Sequence, residues 1–435
     1  MRTLAGSFAL TLTLAGCPSP RPAVDAGSDA PLDARALPDA ARPDAFCGTR
    51  EGVDASGPDA FRALPMSPTA AIELDTSTMG CMGGTGRRTQ IHPTVVFDGE
   101  AVWASYVAVC GEESTFDVFA TRIALDGTVL VPPFQVNTAP ASNEIDPVMA
   151  ASPTQVLIAW TGDDGSGGTA NLQVGYRLFD HAGAATTRSE QRLVTSLAGV
   201  PQTDNHMAHD ALFVPGHGLA IAGVRANSEV NRFQAYAQFL DAGGTSTSET
   251  IAPPPEAVSH NSVTFAFHRS AQAFLAFDRG DEGTNAVLWR ESCAGRYEML
   301  ATGVAPTGMT SDGTRVFVGL GGAFVTLLEL RESTLGTPFG LEDTSGRSEI
   351  LPSLALGPSG QGAALWIRLI AGSNGELAFS GFRADGTTTP ARSIVPERVA
   401  PYPPELARID DTHYVAVWSA GMSPMFKVYA QFLTL

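Results

Sequence analysis

Five residues recur unchanged near the end of this chain: Tyr236-Ala237-Gln238-Phe239-Leu240 returns as Tyr429-Ala430-Gln431-Phe432-Leu433. A chain that repeats itself has to be read as repeats before any fold is assigned. Around the echo runs a longer pattern: an Ile-x-Pro-like start, a short apolar strand, a Gly, Pro or Asp turn, a second apolar strand often ending in Trp, a polar loop, a third alternating strand and a second turn. Aligned on the end of the second strand, the marks are Ala101-Val102-Trp103, Ile158-Ala159-Trp160, Ile221-Ala222-Gly223, Leu275-Ala276-Phe277, Phe317-Val318-Gly319, Ala364-Leu365-Trp366 and Ala416-Val417-Trp418. Turn residues fall in step with them. Asp98-Gly99, Pro215-Gly216, Asp312-Gly313 and Pro358-Ser359-Gly360 precede second strands, where a tight hairpin needs a positive or preset φ. Asp126-Gly127, Asp180 to Gly183, Asp241 to Gly243 and Asp385-Gly386 follow third strands. No segment has the period of a long amphipathic helix.

Each unit therefore reads as a four-stranded antiparallel meander, which cannot bury both faces alone. Stacking such units radially covers the faces and leaves only short edges. The last unit stops at Leu435, after its third strand. Ala71-Ile72-Glu73-Leu74-Asp75-Thr76, at the other end, has the character of fourth strands such as Phe134 to Thr138 and Leu193 to Thr195. The expected fold is all-β: a seven-bladed β-propeller of four-stranded antiparallel blades, the last blade closed by an N-terminal strand. Over residues 70–435 this resembles WD40-like and related propellers. The Trp-Asp and Gly-His signatures of true WD40 repeats are absent, as is the Ser-x-Asp-x-Gly box of sialidases, so the resemblance implies architecture and not activity. The competing reading, two β-sandwich domains, requires neither a recurring Trp mark nor a missing final strand.

Before the repeats come two segments of another kind. Arg2 is the only charge ahead of an apolar or small stretch from Thr3 to Gly16, too short to span a bilayer and ending in Leu14-Ala15-Gly16-Cys17. This resembles the bacterial lipoprotein signal, which implies removal of residues 1–16, acylation of Cys17, export, and attachment to the cell envelope through acyl chains alone. Outer membrane is the favoured address, facing the periplasm or the surface. Residues 17–65 repeat Asp-Ala and Pro-Asp-Ala units with few branched or aromatic residues, so they read as a disordered spacer. Residues 66–435 form the expected propeller domain.

Charge narrows the partners. The 435 residues carry a formal net charge of -18, and Lys427 is the only lysine. Nucleic acid and anionic bilayers both require clustered Lys or Arg, so neither is expected as a partner. The spacer's five Arg nearly balance its seven Asp and one Glu, which leaves the acidity on the repeating body.

Candidate chemistry is positional. In a propeller the first strand of each blade lines the central channel. At the residue before that strand, successive units carry His92, Asp146, His209, His260, Ala305, Leu351 and Tyr402. His92, Asp146, His209, His260 and Tyr402 are thus candidate ligand-binding residues at one channel mouth, with His206, Glu144 and Glu349 nearby. Imidazoles and carboxylates are ligands for zinc and also serve as acid and base. The alternative is a wet, solvated lining, since points on a wide ring need not converge. Asp163 to Gly167 and Asp278 to Asn285 mix carboxylates with glycines, as calcium loops do, without the EF-hand spacing. No cofactor is expected; zinc or calcium is the alternative. No nucleophile elbow, Walker loop or His-Glu-x-x-His motif occurs, so no catalytic residue is assigned. Trp103, Trp160, Trp366 and Trp418 recur at one repeat position, which favours packing between blades over sugar stacking.

Besides Cys17, the cysteines are Cys47, Cys81, Cys110 and Cys293. Cys81 and Cys110 fall on one face of one unit and form the candidate disulfide, whereas Cys293 has only a flexible partner in Cys47, or none. The function expected is that of a monomeric, non-catalytic binding module for a protein or glycan at the cell envelope. The alternatives are a glycan-cleaving hydrolase or lyase with its site at the channel mouth, and a structural scaffold.

Overall fold

The computed structural model describes residues 70–76, 89–109 and 116–138, and then the strands and many of the turns up to residue 435. The leader and spacer, with Cys17 and Cys47, lie outside the described residues, as do Cys81, Cys110, Cys293 and His260. Among the described residues every regular element is a strand, and no helix is long and apolar enough to cross a membrane.

The strands form antiparallel sheets in chain order. The first sheet holds Thr89–Phe97, Val102–Val109, Phe116–Ile123 and Val129–Gln135; the second holds Glu144–Ala151, Gln155–Gly162, Gln173–Asp180 and Gln191–Arg192. His206–Val214 opens the third, Ser262–Phe265 the fourth and Pro306–Ser311 the fifth, whose outer strand is broken into Thr334–Leu335 and Phe339–Gly340. The remaining eight strands form one sheet with two halves, joined through the backbone pair Val399↔Ala420. One half runs from Glu349–Leu356 to Arg392–Val399. The other contains Glu405–Arg408, His413–Met422, Met425–Thr434 and, from the start of the chain, Ile72–Glu73. Ile72 pairs with Ala430 and Glu73 with Tyr429. The first strands of successive sheets pack on one another, and Glu405–Arg408 packs in turn on Thr89–Phe97.

The second strands explain why the sheets must stack. In Val102–Val109, the residues Val102, Ala104, Tyr106 and Ala108 pack with Val415, Val417 and Val428, while Trp103 faces the other way toward Val156, Ile158 and Trp160. In Gln361–Leu369, Leu365 and Ile367 join Tyr414 and Trp418, and Ala364 and Trp366 join Phe317 and Leu327. Strands apolar on both faces, period two, need a partner sheet on each side. All four marking Trp side chains are buried.

One mark is out of register. Ile91 pairs with Val107, Ile145 with Thr161 and Ile350 with Ile367, which makes Tyr106 the equivalent of Trp160 and Trp366 and leaves Trp103 three residues early. Volume across this position is shared with the third strand. Trp160 faces Gly175, Gly223 faces Tyr236, and Trp418 stacks on Tyr429 at 5.9 Å. The turns after the third strands follow one rule: Asp126, Asp180, Asp241 and Asp385 each accept backbone N–H bonds on Oδ1, and a left-handed glycine closes each turn, as at Gly127 and Gly386.

Candidate functional site

The site grows from irregularities in the first strands. Register slips by one residue between Ile91 and Thr94, between Ile145 and Val148, and between Ile350 and Ser353. In each slip the residue ahead of a proline takes a left-handed φ: 49° at His92, 50° at Asp146 and 54° at Leu351. Proline has no N–H to give the ladder, so the strand accommodates it with an extra residue and a bend, and the bulged side chain is re-aimed. In the third sheet the slip lies between Ala208 and Asp210 and sets His209 at the bulge without a proline. Of the described candidates, His92, Asp146 and His209 therefore sit inside the first strands and not ahead of them, whereas Tyr402 precedes Glu405–Arg408.

Re-aiming brings side chains from different sheets together. His92 Nδ1 is 2.9 Å from Asp146 Oδ1. Tyr402 packs on the His92 ring with centroids 4.8 Å apart, and on Phe426 at 5.8 Å. Beside them opens a cavity of about 360 Å³, lined by His92–Val95, Asp146–Met149, Ala208–Asp210, Pro403 and Glu405. The separation between stacked sheets thus does not keep these groups apart.

Two acids in the cavity, Asp210 and Glu405, escape a reading that takes only the one position ahead of each strand. Asp210 Oδ1 accepts the Ala211 N–H at 2.8 Å and Oδ2 accepts the Thr264 hydroxyl at 3.3 Å. Glu405 Oε2 accepts the Ser353 hydroxyl at 3.2 Å, while Ser353 Oγ accepts the Leu406 N–H at 3.0 Å. Burial, reinforced by the negative charge of Asp210, pushes the Glu405 carboxyl up to about 7. Burial also holds the His209 imidazole below its usual range, against the opposing pull of Asp146. His209 Nε2 is buried with no hydrogen-bond partner.

Other residues grouped with the mouth by sequence are engaged elsewhere. Glu349 accepts from Val325 N at 2.7 Å and pairs with Arg368 at 3.3 Å in the interior. Glu144 is buried beside Trp160 and Gly162, and His206 packs edge-on to Tyr236 at 5.7 Å. Asp163 Oδ2 accepts from Asn143 Nδ2 at 3.1 Å, while the rest of its glycine-rich loop, and the side chains of Asp278 to Asn285, lie outside the described residues. Among the described residues no three His, Cys, Asp or Glu side chains are grouped so as to hold a metal ion.

No family model matches the sequence, and no curated protein matches it. Solved structures are similar in fold. A protein of unknown function from Dyadobacter fermentans superposes with a TM-score of 0.49 at 12% identity, over 84% of this chain and 98% of that one. A Hadza microbial sialidase gives 0.48 at 13%, over 80% and 66%, and a Trypanosoma rangeli sialidase gives 0.49 at 8%, over 84% and 59%. This chain thus spans less than two thirds of the length of either sialidase. Similarity at this level concerns β architecture and says nothing of the cavity residues.

Proposed function

We propose that the chain is an exported, lipid-anchored binding protein that takes the end of a glycan into the cavity beside His92, Asp146, His209 and Tyr402. The single observation carrying this reading is the cavity itself, formed where bulged first strands of separate sheets converge. Its volume lies at the lower end of the roughly 300–1,000 Å³ range of small-molecule sites, which suits a ligand's end better than a protein face. In the same reading the sheets form a seven-bladed ring, with Ile72–Glu73 completing the last blade, and His260 adds to the mouth from the fourth. Zinc and calcium have no part in binding.

Glycan binding is tested by presenting the purified protein to an immobilised glycan panel. Wild type retains at least one glycan, and His92→Ala and Asp146→Asn weaken that binding about tenfold; full binding by both variants overturns the cavity as the site. Anchoring is tested with Cys17→Ser, which should move the protein from the membrane to the soluble fraction; unchanged membrane association overturns lipidation. A bridge between Cys81 and Cys110 predicts that mass spectrometry of unreduced peptides recovers the two linked.

One observation favours a second reading. A carboxyl held near neutrality beside another acid is the arrangement that serves general acid catalysis, so Glu405 and Asp210 suit a glycan hydrolase. Release of reducing ends from the bound glycan, lost in Glu405→Gln while binding persists, would establish it in place of simple binding.

A further inference from the structure

The bend in the first strands does not need a polar side chain. Leu351 occupies the same proline bulge as His92 and Asp146, with φ 54° against 49° and 50°, so an apolar residue satisfies the backbone there. At two neighbouring bulges the bend instead turns an imidazole and a carboxylate toward each other at the wall of the cavity, Nδ1 to Oδ1 at 2.9 Å. Strained backbone carrying such a pair points to chemistry.

The ring is held in one orientation. Asp146 takes its Nδ1 side, and Tyr402 packs on it with centroids 4.8 Å apart. In the neutral ring an Nδ1 proton donated to Asp146 leaves the lone pair on Nε2, and the His92 side chain is 30% exposed. Nε2 is then the nitrogen that takes a proton from a bound molecule.

The other acids of the cavity are engaged differently. Both Asp210 oxygens accept hydrogen bonds, from Ala211 N and the Thr264 hydroxyl. Glu405 accepts the Ser353 hydroxyl on Oε2, and burial, ahead of the charge of Asp210, pushes its carboxyl up to about 7. One cavity thus holds an oriented base and an acid that keeps its proton. Its volume of about 360 Å³ leaves room beside a ligand's end for a water, which occupies about 30 Å³ in the liquid.

Resting on the hydrolase reading above, we propose that His92 is the general base of that reaction, with Asp146 as its positioning residue, and that the glycosidic bond is cut in a single displacement that inverts the sugar. Water gives a proton to His92 Nε2 while its oxygen bonds to the anomeric carbon. The bond to the leaving oxygen breaks on the opposite side, its electron pair stays with that oxygen, and Glu405 supplies the proton. The proton on His92 then passes through solvent and Glu405 regains one.

Dinitrophenyl glycosides of glucose, galactose, mannose and N-acetylglucosamine, in both anomers, isolate the base, because their leaving group departs without a proton. Full-length protein in detergent should hydrolyse at least one, and NMR should show the first-formed sugar inverted; retention overturns the single displacement and His92 with it. Glu405→Gln should keep most of this turnover, in contrast to its loss of reducing-end release from an unactivated glycan. His92→Ala should lower kcat about a hundredfold or more, and imidazole added to the solution should raise it again at least tenfold. His92→Gln fills the space and should show the same loss without recovery. Asp146→Asn should lower kcat about tenfold at saturating probe; a change in KM alone overturns its positioning role. Unchanged kcat in both His92 variants, or a His92→Ala loss that imidazole leaves in place, overturns His92 as the base while the hydrolase reading stands on Glu405. Turnover of no probe overturns hydrolase and base together, and the glycan panel then decides binding by itself.

Discussion

His92 Nδ1 lies 2.9 Å from Asp146 Oδ1, so the first strands of two successive sheets are joined by a side-chain contact in addition to their packing. Both residues owe their direction to a left-handed backbone ahead of a proline. Of the non-glycine residues, His and Asp belong to the group that tolerates this conformation best, whereas a β-branched residue does not. Backbone and contact can therefore be separated by substitution. Asp146→Gly should keep the melting temperature within about 2 °C, because a half-exposed pair of this kind is worth about 0–1 kcal/mol. Asp146→Val should cost about 1–2 kcal/mol more, from strain at φ 50°. Thermal unfolding of the two variants decides it, and equal stabilities would show that the bulge does not constrain this position.

Glu405 gives stability a pH dependence of definite sign. Its carboxyl titrates near 7 in the folded chain against a usual value of 4.5, so the folded state holds a proton that the unfolded state has released. Stability from this group is therefore full below about 4.5, falls as pH rises toward 7, and is level above that. His209 acts in the opposite sense, since its lowered imidazole makes stability fall as pH drops below its usual 6.5. Comparison with Glu405→Gln, which retains His209, isolates the acid. The variant should gain stability over wild type between pH 5 and pH 8, by at most about 3 kcal/mol. A pH-independent difference in denaturant midpoints would rule this out.

Much of the architecture is legible in the residues. The Asp-Gly turns after third strands and the alternation of second strands mark local requirements, positive φ and two-sided burial, that particular side chains must meet. Register is less legible. Trp103 stands where the eye aligns it with Trp160, yet the ladder assigns that place to Tyr106, because Tyr and Trp fill the same space and the bulge at His92 is invisible to spacing. The site suffers from the same cause. Bulges decide where His92 and Asp146 point, and Asp210 and Glu405 become site residues only through a contact between sheets.

Complementary volume across the second and third strands yields a packing prediction. A Cβ on Gly175 would fall 2.7 Å from the Trp160 ring, which is buried and confined by Val156 and Phe179. Gly175→Ala should then destabilise by about 1–3 kcal/mol through overpacking, and Trp160→Ala by about 3–5 kcal/mol through the cavity it leaves. Together they should cost less than the sum, since the smaller ring position relieves the clash. Strict additivity in a double-mutant cycle would mean that the two side chains do not share this space.

The segment at residues 72–75 should be worth more to stability than its length suggests. Leu74 N donates to Val428 O at 3.0 Å, and Val428 N donates to Gln90 Oε1 at 2.9 Å, so the two ends of the described chain are bridged through one residue. Buried Asp75 accepts the Tyr106 hydroxyl at 3.0 Å, tying the segment to the second strand of the first sheet. Lys427 adds a part-exposed pair with Glu73 at 3.3 Å. Burial separates the two contributions. Asp75→Ala leaves the Tyr106 hydroxyl without that acceptor in the core and should cost roughly 2–3 kcal/mol. Lys427→Ala should cost less than about 1 kcal/mol. Tyr106→Phe removes the hydroxyl that donates to Asp75, so adding it to Asp75→Ala should recover part of the loss. Guanidinium midpoints for the three variants test this, and an Asp75→Ala variant as stable as wild type would show that the segment does not clasp the two ends of the domain.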